Sequence, residues 1–420
     1  MIKPIGYKKF KIIIFIIIAI ATFAKCINNS EQNKAIIFNN KGEQFAGSES
    51  CENCHREIFD HFIHTAHNLT SVPATEKTIK GSFAKGENLF SYSYYSKVAL
   101  EKRDSGLYQI EYDKKFTEKQ AHSIDIVVGS GTRGQSYLYW KNNHLFQLPV
   151  SYFTLANKWS NSPGYPIYQP LFNRSISTRC LECHSTYFKT LSVNDQQFQS
   201  EEFDRKQAIY GVQCESCHGP AKKHVEFQEQ NPKETKGKFV VNPSTFARRQ
   251  QIDMCAYCHG GIRKIDKAAF DFGPGDTLSH SPEEDNAAVN TENIEVHDNQ
   301  YALLKASKCF RMSKSMSCNT CHNTHEQERG NLALFSNKCM SCHTVAKSNF
   351  CKMAPSLGAA AISKNCIDCH MPEKPSKMLT LQLEGEGNNV PATLRSHVIA
   401  VYPNESKKYL SVNNSSSYKK

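Results

Sequence analysis

Cysteine and histidine recur along this chain in one fixed spacing, Cys-x-x-Cys-His. The chain has 420 residues, with 17 cysteines and 17 histidines. Two thiols at this spacing can form thioethers with the two vinyl groups of one porphyrin, and the following histidine can bind its iron. The pattern occurs seven times, numbered here in chain order as motif 1 (Cys51, Cys54, His55), motif 2 (Cys180, Cys183, His184), motif 3 (Cys214, Cys217, His218), motif 4 (Cys255, Cys258, His259), motif 5 (Cys318, Cys321, His322), motif 6 (Cys339, Cys342, His343) and motif 7 (Cys366, Cys369, His370). The sequence therefore predicts seven covalently bound haem c groups, each with its iron.

Zinc is the main alternative for paired cysteines. A structural zinc site takes four ligands, so it would need two such pairs. Neither zinc nor a disulfide framework explains why a histidine follows every second cysteine of the pattern. The repeated histidine therefore favours haem attachment over both alternatives.

The N-terminus predicts export. The apolar run 12–24 is too short to span a bilayer but is typical of the core of a secretory signal peptide. Haem attachment of this kind takes place outside the cytoplasm, where disulfides also persist. We therefore expect a periplasmic, outer-membrane or cell-surface protein. Four lysines precede the apolar run: Lys3, Lys8, Lys9 and Lys11.

Three cysteines lie outside the motifs. Cys26 follows the apolar run and leaves two forms open, a lipid-anchored protein associated with the membrane and a plainly secreted one. Lys25 before it is a poor residue for a lipoprotein cleavage site. For Cys309 and Cys351 we favour a disulfide, with two buried free thiols as the alternative.

Motif spacing and residue periodicity predict the organisation of the chain. Alternating apolar and polar residues, as in 108–112 and 124–128, indicate strands between motifs 1 and 2. Motifs 2 to 7 crowd into 180–370, which leaves room only for short helices and loops around porphyrins. The prediction is a mainly α fold with long loops wrapped around c-type haems, plus an inserted small antiparallel β module. The predicted segments are a signal peptide (1–24), a polar linker (25–47), a first haem segment (48–81), the β module (82–157), a six-haem cytochrome domain (158–400) and a disordered tail (401–420).

One glycine-rich stretch matches a nucleotide-binding pattern. Gly129, Gly131 and Gly134 fit GxGxxG after a predicted strand. A dinucleotide site needs a helix to begin there, with its N-terminus at the pyrophosphate. Because 135–140 reads as another strand, we expect a tight turn instead.

The second axial ligand of each iron separates an electron carrier from an enzyme. A second histidine closes the iron, whereas an open position can bind a substrate. His224 and His325 follow their nearest motifs too closely to bind the same haem from the other side, so each suits a neighbouring haem. Ten histidines lie outside the motifs: His61, His64, His67, His122, His144, His224, His280, His297, His325 and His397.

Several strings resemble a known superfamily. Residues 211–224, 318–325 and 366–372, together with the opening segment 51–67, are similar to multihaem cytochromes c related to hydroxylamine oxidoreductase, its tetrahaem electron acceptor and the pentahaem nitrite reductases. The resemblance covers about 51–70 and 175–400. It implies distal ligands at His67, His224, His297, His325 and His397, with His280 as a weaker sixth; His61, His64, His122 and His144 stay open.

The chain departs from the catalytic members of that superfamily. It has no Cys-x-x-Cys-Lys motif, which the nitrite reductases carry, and one motif fewer than the hydroxylamine oxidoreductases. We therefore expect an electron carrier that exchanges electrons with redox proteins as donor and acceptor, and we assign no catalytic residue. The alternative is a multihaem oxidoreductase that acts on a small nitrogen or sulfur compound at one open haem.

The positive net charge does not indicate nucleic acid as a partner. The formal charge is +11, of which the four signal lysines contribute four. The propionates of seven haems add negative charge that the remaining excess would balance. No nucleic-acid-binding motif occurs in the sequence.

Overall fold

Several segments with alternating apolar side chains form strands of this protein, because successive side chains of a strand point to opposite faces and one face can be buried. The computed structural model describes residues 35–192, 200–261, 266–279, 291–292, 294–344, 346 and 350–408. The predicted signal peptide, Cys26 and His280 lie outside these ranges. The strands are β1 (Ser71–Pro73), β2 (Leu89–Ser93), β3 (Ser96–Arg103), β4 (Gly106–Asp113), β5 (Glu118–Ser123), β6 (Ile126–Val128), β7 (Gly134–Lys141), β8 (His144–Gln147), β9 (Val150–Phe153), β10 (Lys158–Asn161), β11 (Arg174–Ser175), β12 (Ser185–Ser192), β13 (Glu202–Tyr210), β14 (Glu373–Gln382) and β15 (Asn389–Arg395).

Two antiparallel sheets lie between motifs 1 and 2. The first has four strands in the order β2-β3-β4-β5. The second has seven, in the order β1-β6-β7-β8-β11, with β9 paired to β7 and β10 paired to β9. Strands β1, β10 and β11 of this sheet lie outside 82–157, the range predicted for the β module.

Buried side chains of both sheets form one hydrophobic core. Phe90 and Leu100 of the first sheet join Tyr137 and Leu148 of the β7–β9 region in this cluster. Burial of each such side chain stabilises the fold by roughly 1.5–3 kcal/mol. The buried amide of Gln109 also links the sheets, since it donates to the carbonyl of Val150 at 2.7 Å and accepts from its N–H at 3.0 Å.

The helices are short and concentrate around the motifs. They are α1 (Glu49–Glu52), α2 (Arg56–Phe62), α3 (Thr178–His184), α4 (Cys214–His218), α5 (Lys222–Gln230), α6 (Arg248–His259), α7 (Gln300–Lys305), α8 (Lys308–Met312), α9 (Leu332–Met340), α10 (Ala354–Leu357), α11 (Ala359–Ile362) and α12 (Ile367–His370). Two 3₁₀ turns span Pro243–Thr245 and Cys318–Thr320. A single helical turn is enough to present two thiols and an imidazole on one face, so the motifs need no long helix.

The prediction of a mainly α fold is wrong. Helices account for only 25% of the structure, and strands in several antiparallel sheets account for 27%. Strand pairs also occur where only helices and loops were expected. The hairpin β12–β13 connects motifs 2 and 3, and β14–β15 follows motif 7. Hairpins suit these connections because they satisfy their own backbone hydrogen bonds while the chain passes from one motif to the next.

The glycine-rich stretch is a turn between antiparallel strands. Strands β6 and β7 flank it and pair with each other, with Val128 opposite Ser136. Gly129 has φ +102°, and a Cβ there would lie 2.8 Å from the carbonyl oxygen of Gly134. No helix begins at this turn, which confirms the expectation from the sequence.

Candidate functional site

Each motif forms a single turn, which is either part of a helix or held by a local backbone hydrogen bond. The N–H of His55 donates to the carbonyl of Cys51 at 2.8 Å, and His322 donates to Cys318 at 3.0 Å. His343 and His370 make the same bond in motifs 6 and 7, while motifs 2, 3 and 4 lie in helices α3, α4 and α6. Residues three and four apart lie on one face of such a turn. Both thiols and the imidazole of a motif can therefore reach one porphyrin.

Thiols of different motifs contact each other in four pairs. In each pair the two thiols lie close enough to shift each other's pKa. The neighbouring thiol of Cys51, for example, is the largest cause that lowers the pKa of Cys214 to about 6. Thioether formation removes these titrations but leaves the attachment points as neighbours. The pairs are Cys51 with Cys214, Cys183 with Cys258, Cys255 with Cys318, and Cys339 with Cys366.

Electrostatic contacts join these pairs into one series. Cys217 of motif 3 lies close enough to Cys255 and Cys258 of motif 4 to raise the pKa of both thiols, after the larger effects of hydrogen bonding and burial. Cys321 of motif 5 contributes in the same way to the raised pKa of Cys339 in motif 6. The attachment points run from motif 1 through motifs 3, 4, 5 and 6 to motif 7, with motif 2 beside motif 4.

Three motif histidines lie beside a histidine from elsewhere in the chain. The ring centroids are 6.2 Å apart for His67 and His259, 6.1 Å for His218 and His325, and 6.1 Å for His322 and His397. Two imidazoles that bind one metal from opposite sides, each through a bond of about 2 Å, have their centroids about 6 Å apart. The three separations therefore fit a bis-histidine iron.

A fourth pair is indicated by electrostatics. His297 lies close enough to His184 of motif 2 to lower its pKa, although burial is the larger cause. Four of the five distal candidates thus lie near a motif histidine. The fifth, His224, donates through Nδ1 to the carbonyl of Lys238 at 2.9 Å, and no described motif histidine stacks on its ring.

The second ring nitrogen of several histidines has a defined partner. Nδ1 of His218 lies 2.9 Å from the carbonyl of Val241, and Nδ1 of His370 lies 2.8 Å from that of Ala400. A carbonyl fixes Nδ1 as the donor and leaves Nε2 free to bind a metal, the usual arrangement around metal-bound histidine. Nδ1 of His397, by contrast, is buried without a hydrogen-bond partner.

Desolvation by surrounding protein atoms favours the neutral form of the central imidazoles. It lowers the pKa of His259 to about 4, and the neighbouring His67 adds to this effect. Burial, with His322 as the next cause, also lowers the pKa of His397 to about 4. Metal binding requires the neutral imidazole, so both side chains are held in the competent form at neutral pH.

A cavity adjoins motif 3. It has a volume of about 650 Å³ and is lined by Cys217, His218, Tyr187, Tyr257 and Phe272, among others. Cofactor pockets are usually concave, largely apolar and of this size. The cavity, the thiols and the imidazole pairs together fit haem c as the group that these residues hold.

Buried carboxylates fix two of the motifs. Glu215 of motif 3 is 4% exposed and accepts hydrogen bonds from the backbone N–H groups of Ala46 (2.8 Å), Gly47 (2.9 Å) and Ala221 (2.7 Å). These bonds fasten the segment before motif 1 and the segment after motif 3 to one carboxylate. Burial nevertheless raises the pKa of Glu215, against the effect of these donors.

Motif 2 contains a similar carboxylate. Glu182 accepts from Arg179 at 2.8 Å, from the backbone N–H of Phe270 at 2.7 Å and from the hydroxyl of Tyr257. The last contact ties motif 2 to helix α6, which carries motif 4. The sequence analysis missed both carboxylates, although an acidic residue between the two cysteines of a motif was a visible signal.

A close backbone contact positions His67. Gly211 has φ +70°, and a Cβ there would lie 2.2 Å from the carbonyl oxygen of Asn68. The N–H of Val212 donates to the carbonyl of His67 at 2.9 Å. Glycine therefore allows the strand end before motif 3 to hold the segment that brings His67 to motif 4.

Three of the other described histidines have partners outside the motifs. His61 bonds Glu326 at 2.7 Å, and His144 lies 3.0 Å from the carbonyl of Glu201. His122 stacks on Phe172, with centroids 4.9 Å apart. His64 has no described ring contact or side-chain hydrogen bond.

The expected disulfide is absent. Cys309 and Cys351 are both free cysteines. Cys309 lies near Cys342 of motif 6, whereas Cys351 lies near Cys369 of motif 7. Each is thus held beside a different motif.

Within the described ranges, no helix combines the length and apolar character needed to cross a membrane.

Comparison with known proteins gives two matches. The family described as cytochrome c554 and c-prime matches residues 156–219, which include motifs 2 and 3. The multiheme cytochrome MtrA of Shewanella baltica (strain OS185) is 27% identical over 178 residues, or 39% of this chain and 51% of the relative. The chain thus spans about half the length of this curated relative. No solved structure matches the chain. The matches support a multihaem c-type cytochrome with covalently bound haem c.

Proposed function

We propose that this chain is an exported seven-haem c-type cytochrome that passes single electrons between redox proteins along closely packed, mostly bis-histidine haems. The observation that carries the proposal is the series of contacts from motif 1 to motif 7. Attachment points in contact keep neighbouring porphyrins close, and closely spaced redox centres can exchange electrons. A relative named as a multiheme cytochrome is consistent with this function.

We assign the second iron ligands from the imidazole pairs. His67 would serve motif 4, His325 motif 3, His397 motif 5 and His297 motif 2. His224 remains a candidate for one of the other motifs. The motif histidines themselves would be the first ligands of their irons, and the motif cysteines would hold the porphyrins.

The chain's own residues would set the properties of these centres. Haem c supplies a one-electron iron couple whose potential depends on its ligands and on burial. Protein atoms around motifs 3 and 4 partly desolvate Cys217, Cys258 and His259, and this desolvation contributes to the shifted pKa of each group. Two axial histidines would leave no position for a substrate, which favours electron transfer over catalysis.

The proposal also includes membership of the hydroxylamine oxidoreductase-related superfamily and a location outside the cytoplasm. The match to cytochrome c554 and c-prime overlaps, from about residue 175 to 219, the part of the chain that resembles the relatives of hydroxylamine oxidoreductase. Attachment of haem c outside the cytoplasm supports export, in a periplasmic or surface-exposed form.

Electron paramagnetic resonance of the oxidised holoprotein tests the proposal, together with the mass of the holoprotein, which counts the haems. Low-spin ferric signals that nitrite and hydroxylamine leave unchanged are expected. A high-spin signal that shifts with either compound would overturn the carrier and support an oxidoreductase with one open haem. A mass with fewer than seven haems would overturn the haem count.

A further inference from the structure

Six basic side chains around motifs 5, 6 and 7 are exposed and form no ion pair with a described acidic side chain. Some exposed cations elsewhere have such a partner, as Lys102 has Glu76 at 2.7 Å, whereas others have none. We call the six residues the basic face. They are Lys308, Arg311, Lys314, Lys338, Lys352 and Lys364.

Contacts with the motif cysteines show that these cations adjoin the attachment points. Helix α8 carries Lys308 and Arg311 and also Cys309, which lies near Cys342 of motif 6. The ammonium of Lys338 acts on the thiol of Cys321 in motif 5 and opposes the rise of its pKa. The cations of α8 and α9 therefore lie beside motifs 5 and 6.

The remaining cations adjoin motif 7. Lys352 follows Cys351, which lies near Cys369. Lys364 precedes Cys366 by two residues, and Cys366 contacts Cys339 of motif 6. All six cations of the basic face therefore lie near motifs 5, 6 and 7, at the end of the motif series.

This end of the series is also open to solvent. Cys342 and His343 of motif 6 are exposed, as are Cys54 and His55 of motif 1 at the other end of the series. Met312, at the end of α8, is 76% exposed. An apolar side chain surrounded by charged groups beside an exposed redox centre has the composition of a protein interface, with an apolar centre and a polar rim.

The opposite end of the series has the opposite charge. Helices α1 and α2, around motif 1, contain Glu52, Glu57 and Asp60, with Arg56 as the basic residue between them. A partner that docks by charge complementarity can therefore distinguish the two ends.

We propose that the basic face docks an acidic redox protein, which exchanges electrons through the motif 6–7 end. This inference rests on the proposed electron-transfer function. Charge complementarity decides the partner's chemistry, because unpaired cations attract a negatively charged surface and accelerate encounter. A protein is favoured over an anionic membrane because the exposed side chains of Met312 and Val401 give too small an apolar face for a lipid interface.

The test compares two charge-reversal variants of the holoprotein. The first carries Lys308→Glu, Lys314→Glu and Lys338→Glu. The matched control carries Lys77→Glu, Lys85→Glu and Lys115→Glu, three exposed lysines before motif 2 that change the net charge equally. Reduced flavodoxin, a small acidic one-electron donor, is mixed with each protein by stopped flow over a range of salt concentrations.

We expect the basic-face variant to be reduced about ten-fold more slowly than wild type at low salt, and the control to stay within about two-fold. Added salt should slow the reduction of wild type by flavodoxin and make the difference in rate between wild type and the basic-face variant smaller. Equal losses in both variants, or no loss in either, would overturn the docking surface. So would binding to phosphatidylserine vesicles that depends on these lysines without a change in the flavodoxin rate.

A redox titration separates two other outcomes. If the lysines pair with haem propionates instead, the basic-face variant will shift the reduction potentials, which would overturn the docking role. The docking proposal expects unchanged potentials and unchanged reduction by dithionite. Failure of dithionite to reduce the wild-type haems reversibly would contradict the electron-transfer function itself.

Discussion

The imidazole rings of His218 and His325 lie nearly parallel, at 17°, with their centroids 6.1 Å apart. His325 follows motif 5 by three residues, yet its ring lies beside the histidine of motif 3. Nδ1 of His218 is engaged by the carbonyl of Val241 at 2.9 Å, which leaves Nε2 for a metal. The loop after one motif would thus supply the second ligand of another haem and fasten the two attachment segments together.

Replacement of His325 tests this assignment. His325→Ala should leave the iron at motif 3 with one protein ligand and convert one haem from low spin to high spin. The measurement is electron paramagnetic resonance of the oxidised holoprotein. The matched control is His122→Phe. His122 stacks on Phe172, and phenylalanine keeps an aromatic ring at this position while it removes the imidazole. Low-spin signals unchanged in His325→Ala would contradict the assignment.

The backbone contact at Gly211 gives a prediction about stability. Gly211→Ala would place a Cβ 2.2 Å from the carbonyl oxygen of Asn68, at φ +70°. Because the backbone must move apart, we expect a loss of about 3 kcal/mol or more in the free energy of unfolding. Denaturant unfolding of the holoprotein, followed at the haem absorption, measures it.

The control for this substitution is Gly42→Ala. Gly42 has a similar φ of +76° but nothing within 4 Å of a Cβ. In Gly42→Ala the free energy of unfolding should fall only by the cost of placing alanine in the left-handed conformation, about 1–2 kcal/mol. Equal losses in the two variants would mean that the contact with the His67–Asn68 segment contributes nothing.

Glu215 gives a prediction about pH. Burial raises its pKa in the folded protein above the ordinary value of 4.5. A carboxyl group with a raised folded-state pKa contributes stability that is complete below its unfolded-state pKa and is lost as the pH rises through the folded-state pKa. Glu215→Gln lacks this dependence. The free energy of unfolding of wild type minus that of the variant should therefore fall as the pH rises from about 4 towards 7.

Urea unfolding at a series of pH values measures this difference. Glu234→Gln is a suitable control, since exposed Glu234 has its pKa lowered by backbone hydrogen bonds and should show no such fall. A wild-type advantage that grows with pH would show that the three backbone donors outweigh burial at Glu215.

The free thiols give a prediction about modification. Cys309 and Cys351 form no disulfide, so the unfolded holoprotein should expose both to a thiol reagent without prior reduction. Mass spectrometry after alkylation should find both residues modified. Cys309→Ser should remove one modification and leave that of Cys351. If Cys309 and Cys351 react only after reduction, the two residues form a disulfide and the prediction is wrong.

Local patterns predicted the individual elements well. Period-two segments at 108–112 and 137–140 lie within strands β4 and β7, because alternation alone determines which face is buried. The overall class was mispredicted because hairpins β12–β13 and β14–β15 lie among the motifs. Their bulged pairing leaves no clean alternation for a sequence pattern to reveal.

The attachment chemistry was readable from the sequence alone, since two cysteines and a histidine within five residues occupy one turn whatever the rest of the chain does. The pairing of a motif with a distant histidine could not be read from the sequence. His67 reaches His259, with centroids 6.2 Å apart, across 192 positions of the chain. Such a meeting depends on the path of the intervening sheets and on close contacts such as Gly211 with Asn68. Only the tertiary structure decides it, because spacing along a chain constrains contacts within a turn and leaves long-range ones free.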